Sequence, residues 1–234
     1  MKRVWKQADA VERDCGWGVE LDGKPLRTPA RDLLTVPTKA LAEAIASEWN
    51  EVGDKIDPGT LPLTGLANAA VDRVAPDKEA FAKGIARYAE ADLACYRAEG
   101  PSALVDRQTE SWDALIGWGR RRFDVDFRTT RGIVHVDQPA ATVDRLSHAV
   151  AALDPCRLAG LSPLVTISGS LLAALGVLVM PGNNLGYFGP HEIVNQQGHG
   201  VYPAVTTVGD AAIVAWTAGG SDSVINVRRI TLRP

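Results

Sequence analysis

The sequence predicts an α+β protein: a small N-terminal antiparallel sheet with a packed helix, then an orthogonal α-helical bundle, then a short β-meander tail. Three observations lead there. Short alternating runs around Asp22-Gly23 open the chain, apolar residues at helical spacing fill its middle, and Gly-rich β-type text closes it after a stretch, 158–191, without one Asp, Glu, Lys or Arg.

The first element is a hairpin. GWGVEL, DGK, PLRTP and DLLTVP punctuate the opening, and a two-residue Asp-Gly turn between alternating runs needs positive φ, which these residues tolerate. Leu41, Ile45, Trp49 and Val52 then fall at helical spacing, with Thr38 placed to cap; this helix is expected to lie on the sheet. After the Asp57-Pro58-Gly59 break, Leu63, Leu66, Ala67, Ala70, Val71 and Val74 trace a second helix. Phe81, Ile85, Tyr88, Ala89 and Tyr96 trace a third, and Leu104, Gln108, Trp112, Leu115, Ile116, Gly119 and Phe123 a fourth. GIVHVDQP at 132–139 reads as a short extended piece before Val143, Leu146, Val150 and Leu153 restore the helical period. Several amphipathic helices on short connections make a bundle. The apolar stretch 158–180 suits a helix at its centre; a membrane span is the alternative, weakened by Ser162, Pro163, Thr166, Ser168, Gly169 and Ser170 and by sparse flanking positive charge. YPAVTTV, AAIVAWT and SVINVRRITL then read as a three-stranded meander. The expected divisions are 1–58, 59–180 and 181–234.

Composition narrows the function. The 234 residues carry a net charge of -3 with both signs interspersed, which gives no footing for nucleic acid. Cys15, Cys95 and Cys156 are odd in number and far apart, so neither disulfides nor structural zinc is expected, and a reducing compartment fits. The first residues lack the apolar core of a signal peptide, and a cytoplasmic location is expected.

Chemical motifs are weak throughout. The four histidines show no metal spacing, and the serines of ISGS lack a nucleophile elbow and are expected to bond their own backbone. No phosphate cradle is present. Glu90 and Asp92, two apart on a helical pattern, point to different faces and do not form an acid–base pair. Arg120, Arg121 and Arg122 suit a solvated helix end. No catalytic residue, metal site or cofactor is expected. The six tryptophans point to cores or protein contacts.

Larger motifs carry a resemblance. GWGVELDGKPLRTPARDLLTVP, AIASEWNEVGDKIDP, LPLTGLANAAVDRV, YAEADLACYRAEGPSALVDRQTESWDALIGWG, TRGIVHVDQP and LAGLSPLVTISGSLLAALGVL, in that order over 3–179, resemble the ATP-twelve family of ATP synthase assembly chaperones. The resemblance implies a non-enzymatic, cofactor-free monomer that binds the unassembled alpha subunit of the catalytic head and shields its interface before beta pairs with it. It further implies a bacterial cytoplasmic location, equivalent to the mitochondrial matrix for eukaryotic members, and no stable membrane insertion. Family-matching positions with a structural role are Trp17, Asp22, Trp49, Pro62, Leu63, Asn68, Asp72, Tyr88, Asp92, Tyr96 and Arg97; Asn68 and Asp72 are expected to cap or bridge helices and Asp92 to pair with Arg97. Glu48, Thr64, Gln108 and Trp112 are the candidate client contacts. The resemblance stops near Val179: the family's usual last helices are missing, and 181–234 looks distantly like a blade of a sialidase-type propeller, of foreign character. A glycoside-processing fragment, or a protein anchored through 158–180, are the alternative functions.

Overall fold

The computed structural model describes residues 2–179 together with the strands Gly200–Val208, Ala211–Ala218 and Val224–Thr231. Two compact units divide the chain. The first is built on residues 1–77, with 155–160 and the three C-terminal strands; the second on 78–154 and the helical residues after 160.

In the first unit, β1 (Ala8–Arg13) and β2 (Gly16–Leu21) pair antiparallel from Ala8 opposite Leu21 to Arg13 opposite Gly16. β3 (Lys24–Pro25) and β4 (Thr35–Val36) share the other edge of β2. The Asp-Gly hairpin forms as expected: Asp22 has φ 48° and Gly23 φ 76°, the two left-handed residues that a type I′ turn requires. The Asp22 carboxylate accepts from the backbone N–H groups of Lys6 and Gln7 at 3.0–3.1 Å, and the bonds from Gln7 and Lys6 hold its carboxyl below the usual range. The strand entry is thus tied to the turn that follows it.

Helix α1 (Lys39–Glu51) starts where expected, with the Thr38 hydroxyl accepting from Leu41 N–H, and its Ala42, Ile45, Ala46 and Trp49 are buried. These side chains close a core with Trp5, Ala8, Val19, Leu34 and Val36 of the sheet and its entry. Trp5 and Trp49 meet edge to face, ring centres 5.0 Å apart. The second predicted helix is α2 (Pro62–Ala69), which widens to π geometry over Ala70–Val74. In that widened turn Asp72 accepts from Ala30 N–H at 3.1 Å, so it ties helix to the turn after β3 rather than helix to helix.

The second unit contains α3 (Lys78–Ala86), β5 (Tyr96–Arg97), α4 (Ser102–Phe123), β6 (Thr130–Arg131), α5 (Ala140–Ala151), the latter part of α6 (Pro155–Ser168), and α7 (Leu171–Val179). The third predicted helix ends sooner than its apolar spacing suggests. After α3 the chain tightens to 3-10 geometry at Arg87–Ala89, a second 3-10 turn spans Leu93–Cys95, and Tyr96 lies in β5, parallel to β6. α3 packs on α5, and α4 on α7. Gly119 of α4 permits that second contact, since a Cβ there would stand 2.4 Å from Leu172 Cδ1.

The apolar stretch 158–180 is not one helix. Ser168 donates its hydroxyl to Leu164 O at 2.6 Å, as expected for a helix serine, and then Gly169 takes φ 66° and turns the chain into α7. A left-handed residue is tolerated there because glycine has no Cβ. Among the described residues, no helix is long and apolar enough to cross a membrane. At the C-terminal end β7 (Gly200–Val208), β8 (Ala211–Ala218) and β9 (Val224–Thr231) form the predicted antiparallel meander in chain order. Residues 181–199, the first part of the expected tail, lie outside the described residues.

Candidate functional site

Most of the sequence-nominated residues fall into three local structures, two of which are braces. In the first unit Glu48, on α1, reaches the start of α2. Its Oε1 accepts from Leu63 N–H at 2.6 Å, and its Oε2 from Thr64 N–H and the Thr64 hydroxyl, both at 2.9 Å. A helix begins with unpaired N–H groups, and a carboxylate there meets both these donors and the positive end of the helix dipole. Pro62 at the first helical position has no N–H to leave unpaired. The Thr64 hydroxyl in turn accepts from Trp49 Nε1 at 2.9 Å, and Thr64 is only 6% exposed. Burial pushes the Glu48 carboxyl up, against the opposing pull of its hydrogen bonds from Leu63 and Thr64.

That shift has a sign. With the folded value above the unfolded one, the native state holds more protons between the two values, so stability falls as pH rises through the folded value. In urea melts across the acid range, the unfolding free energy of the natural protein minus that of Glu48→Gln is expected to grow as pH falls, and to level off below the ordinary glutamate range. A difference flat with pH would contradict it.

The second brace lies in the other unit. Arg97 donates to Asp113 Oδ1 at 2.6 Å and to Gln108 O at 2.8 Å, and its guanidinium stands 5.4 Å over the Trp112 ring. Gln108 Oε1 accepts from Ala98 N–H at 2.7 Å. The expected Asp92–Arg97 pair is therefore not what forms. Asp92, fully buried, spends its carboxylate on backbone: Oδ1 accepts from Ala94 N–H at 2.9 Å and Oδ2 from Leu172 N–H at 2.8 Å. It caps the Leu93–Cys95 turn and α7 together, which is also why it lies outside any helix. Burial pushes its carboxyl up, opposed by the Ser170 hydroxyl and the N–H groups of Leu172, Ala94 and Leu171. Neighbouring Cys95 is pushed up to about 12 by burial and by the Asp92 charge, so its thiol is unreactive.

The third structure is an open groove of about 970 Å³ in the second unit. Tyr88, Leu93, Tyr96, Ile133 and Val143 give it apolar walls, and Arg87, Glu90, His135 and Asp137 also line it. Tyr96 Oη lies 3.1 Å from His135 Nδ1, and His135 Nε2 lies 3.1 Å from Asp137 Oδ1. In the neutral imidazole, a proton on Nε2 directed at Asp137 leaves Nδ1 to accept from the tyrosine. These groups sit in open solvent, with the His135 and Asp137 side chains 60% and 90% exposed, so they fix the wall rather than desolvate a reacting atom. Ile133 is 97% exposed, the adjoining Val134 72%, and Leu93 48%. Together with the apolar wall of the groove, these exposed side chains are a candidate contact surface. Sequence reasoning read GIVHVDQP as extended chain and as part of the family resemblance, and did not single out Ile133 and Val134 as exposed.

Of the remaining family-matching positions, Trp17 packs against the core of the first unit. Trp17 is half-buried with Lys39 Nζ 5.7 Å over its ring, and Asn68 is half-buried one turn before Asp72. Among the described residues, no group of three or more His, Cys, Asp or Glu could hold a metal.

Comparison with known proteins fits this picture. The family model described as "ATP12 chaperone protein" matches residues 2–120. The chain is 43% identical to the solved Atp12 from Paracoccus denitrificans, with a TM-score of 0.73 over 76% of each chain. It is 34% identical to the solved Atu1473 protein from Agrobacterium tumefaciens, with a TM-score of 0.71 over 76% of this chain and 67% of that one. It is also 24% identical over 189 residues to "Protein atp12, mitochondrial" from Schizosaccharomyces pombe, a match that covers 76% of this chain and spans 65% of that protein's length. These likenesses place the chain among chaperone proteins rather than catalysts. It belongs to the ATP12 chaperone family.

Proposed function

We infer that the protein is a chaperone for assembly of the ATP synthase catalytic head, and that it binds the unassembled alpha subunit and shields its interface until beta pairs with it. Membership of the ATP12 family, at 43% identity to a solved member over three quarters of the chain, carries this reading. An unassembled subunit exposes apolar surface that its neighbour normally covers, and an apolar surface on a second protein competes with aggregation. The apolar walls of the groove support this reading. Its rim at Leu93, Ile133 and Val134 is the client contact in this reading, and the half-buried Trp112 is a further one. Of the other sequence candidates, Glu48 and Thr64 have their side-chain oxygens engaged inside the fold, and Gln108 has its Oε1 engaged there. The bacterial cytoplasm and a monomeric state belong to the same proposal.

The test is capture of purified alpha subunit on immobilised protein without ATP, scored beside suppression of alpha-subunit aggregation. Ile133→Asp with Val134→Asp is expected to weaken capture about tenfold or more, on the scale of apolar anchors at interfaces. Their exposure predicts an unchanged melting temperature. Absence of capture by the natural protein would end the alpha-subunit reading, and full capture by the double variant would move the contact elsewhere.

A further inference from the structure

Among the described residues, the sheet of the first unit has one edge that is only half closed. Asp22 N–H donates to Gln7 O at 3.0 Å, which sets the alternation of the β1–β2 ladder. Residues 9, 11 and 13 bond to β2, and residues 8, 10 and 12 turn their N–H and C=O groups to the free edge. Asn50 occupies the first of these places. Its Oδ1 accepts from Ala8 N–H at 2.8 Å and its Nδ2 donates to Ala8 O at 2.9 Å. A side-chain amide is chemically a peptide group, so this contact is one rung of strand pairing made by a side chain. Beyond it, Ala10 and Glu12 present the next two rungs, and Glu12 is exposed.

The charge beside those rungs is mainly acidic: Lys39, over the ring of Trp17 opposite Glu12, is paired with Glu43 at 3.3 Å. Arg13 is neutralised by Glu20 at 2.8 Å, whereas Glu12 and Asp14 have no cationic partner among the described residues. An edge is usually blunted by charge, and a charge of one sign also selects the partner that carries the other.

We propose that the outer edge of β1 at Ala10–Glu12 is a strand-addition site for an extended, basic segment of another polypeptide. Main-chain bonds to Ala10 and Glu12 give the segment its register, and Lys or Arg side chains on it meet Glu12 and Asp14. This site lies on other residues than the groove and does not depend on which client the protein serves.

The probe is the peptide acetyl-Lys-Val-Thr-Val-Lys-amide at millimolar concentration, against the amide spectrum of the full chain, with acetyl-Glu-Val-Thr-Val-Glu-amide as its control. The basic peptide is expected to shift and protect the Ala10 and Glu12 amides and the acidic one to leave them unmoved. Ala10→Pro removes an outward N–H and no ladder bond, and is expected to weaken the basic peptide about threefold to tenfold, the weight of one hydrogen bond. The double variant Glu12→Lys with Asp14→Lys, at exposed positions, is expected to abolish the preference for the basic peptide whether or not the proline variant folds. Equal shifts with both peptides, no shifts with either, or a concentration-dependent dimer lost in Ala10→Pro would each overturn the proposal, the last by assigning the edge to a second copy.

Discussion

Asp92→Ala is expected to destabilise the protein by about 2–5 kcal/mol, read from urea unfolding, because several buried donors lose their acceptor at once. Ala94 N–H, two positions along the chain, and Leu172 N–H, 80 positions away, both point at this carboxylate, and alanine offers neither an oxygen. Water does not easily replace it at a site that is fully buried. Asp92→Asn is expected to lose less, since its one amide oxygen still accepts while the NH2 group faces the remaining N–H. An alanine variant within about 0.5 kcal/mol of the natural protein, the range of ordinary surface changes, would show that the two turns hold without Asp92. The same loss should reach the groove, whose wall includes Leu93 and Gly169 on either side of this cap.

Trp49→Ala should cost about 3–5 kcal/mol, the range for removing a large buried aromatic. The indole is 9% exposed, stands edge to face with Trp5, and donates to the Thr64 hydroxyl that Glu48 also holds. Its removal opens a cavity and unpairs part of the brace between α1 and α2. Trp49→Phe separates these effects: most of the ring volume stays and the Nε1 bond goes, for a loss of about 1 kcal/mol. If phenylalanine were as damaging as alanine, the hydrogen bond rather than the packing would dominate the site. Thermal or urea melts of the pair decide it.

Much of this architecture is written locally in the chain. The Asp22-Gly23 hairpin, the Thr38 cap and the α1 face each depend on residues within a few positions of one another, and the structure has them where the pattern puts them; of the α4 face, Leu115, Ile116 and Gly119 are buried and Leu104 is exposed. What escaped local reasoning depends on distant partners. Phe81, Ile85, Tyr88 and Tyr96 keep a helical spacing, yet Asp92 pulls the chain out of the helix to serve α7, and nothing near Asp92 announces Leu172. Arg97 looked like its partner by proximity in sequence; Asp113 and Trp112, one helix later, are the groups it finds. Glu48 and Thr64 were candidates for client contact, and the hydrogen bonds that engage them instead join two helices across a turn. A run as apolar as 158–180 carries no face to reveal a bend, and only the left-handed Gly169 creates one.

The far N-terminal region closes something made much later in the chain. The guanidinium of Arg3 gathers four carbonyls, those of Trp5, Lys6, Asn50 and Val52, at 2.6–3.1 Å, and so seals the trailing end of α1 with a cation where the helix dipole is negative. An exopeptidase that nibbled past this arginine would strip four carbonyls of their donor in one stroke. Fusion partners and affinity handles therefore belong a spacer's length away from it.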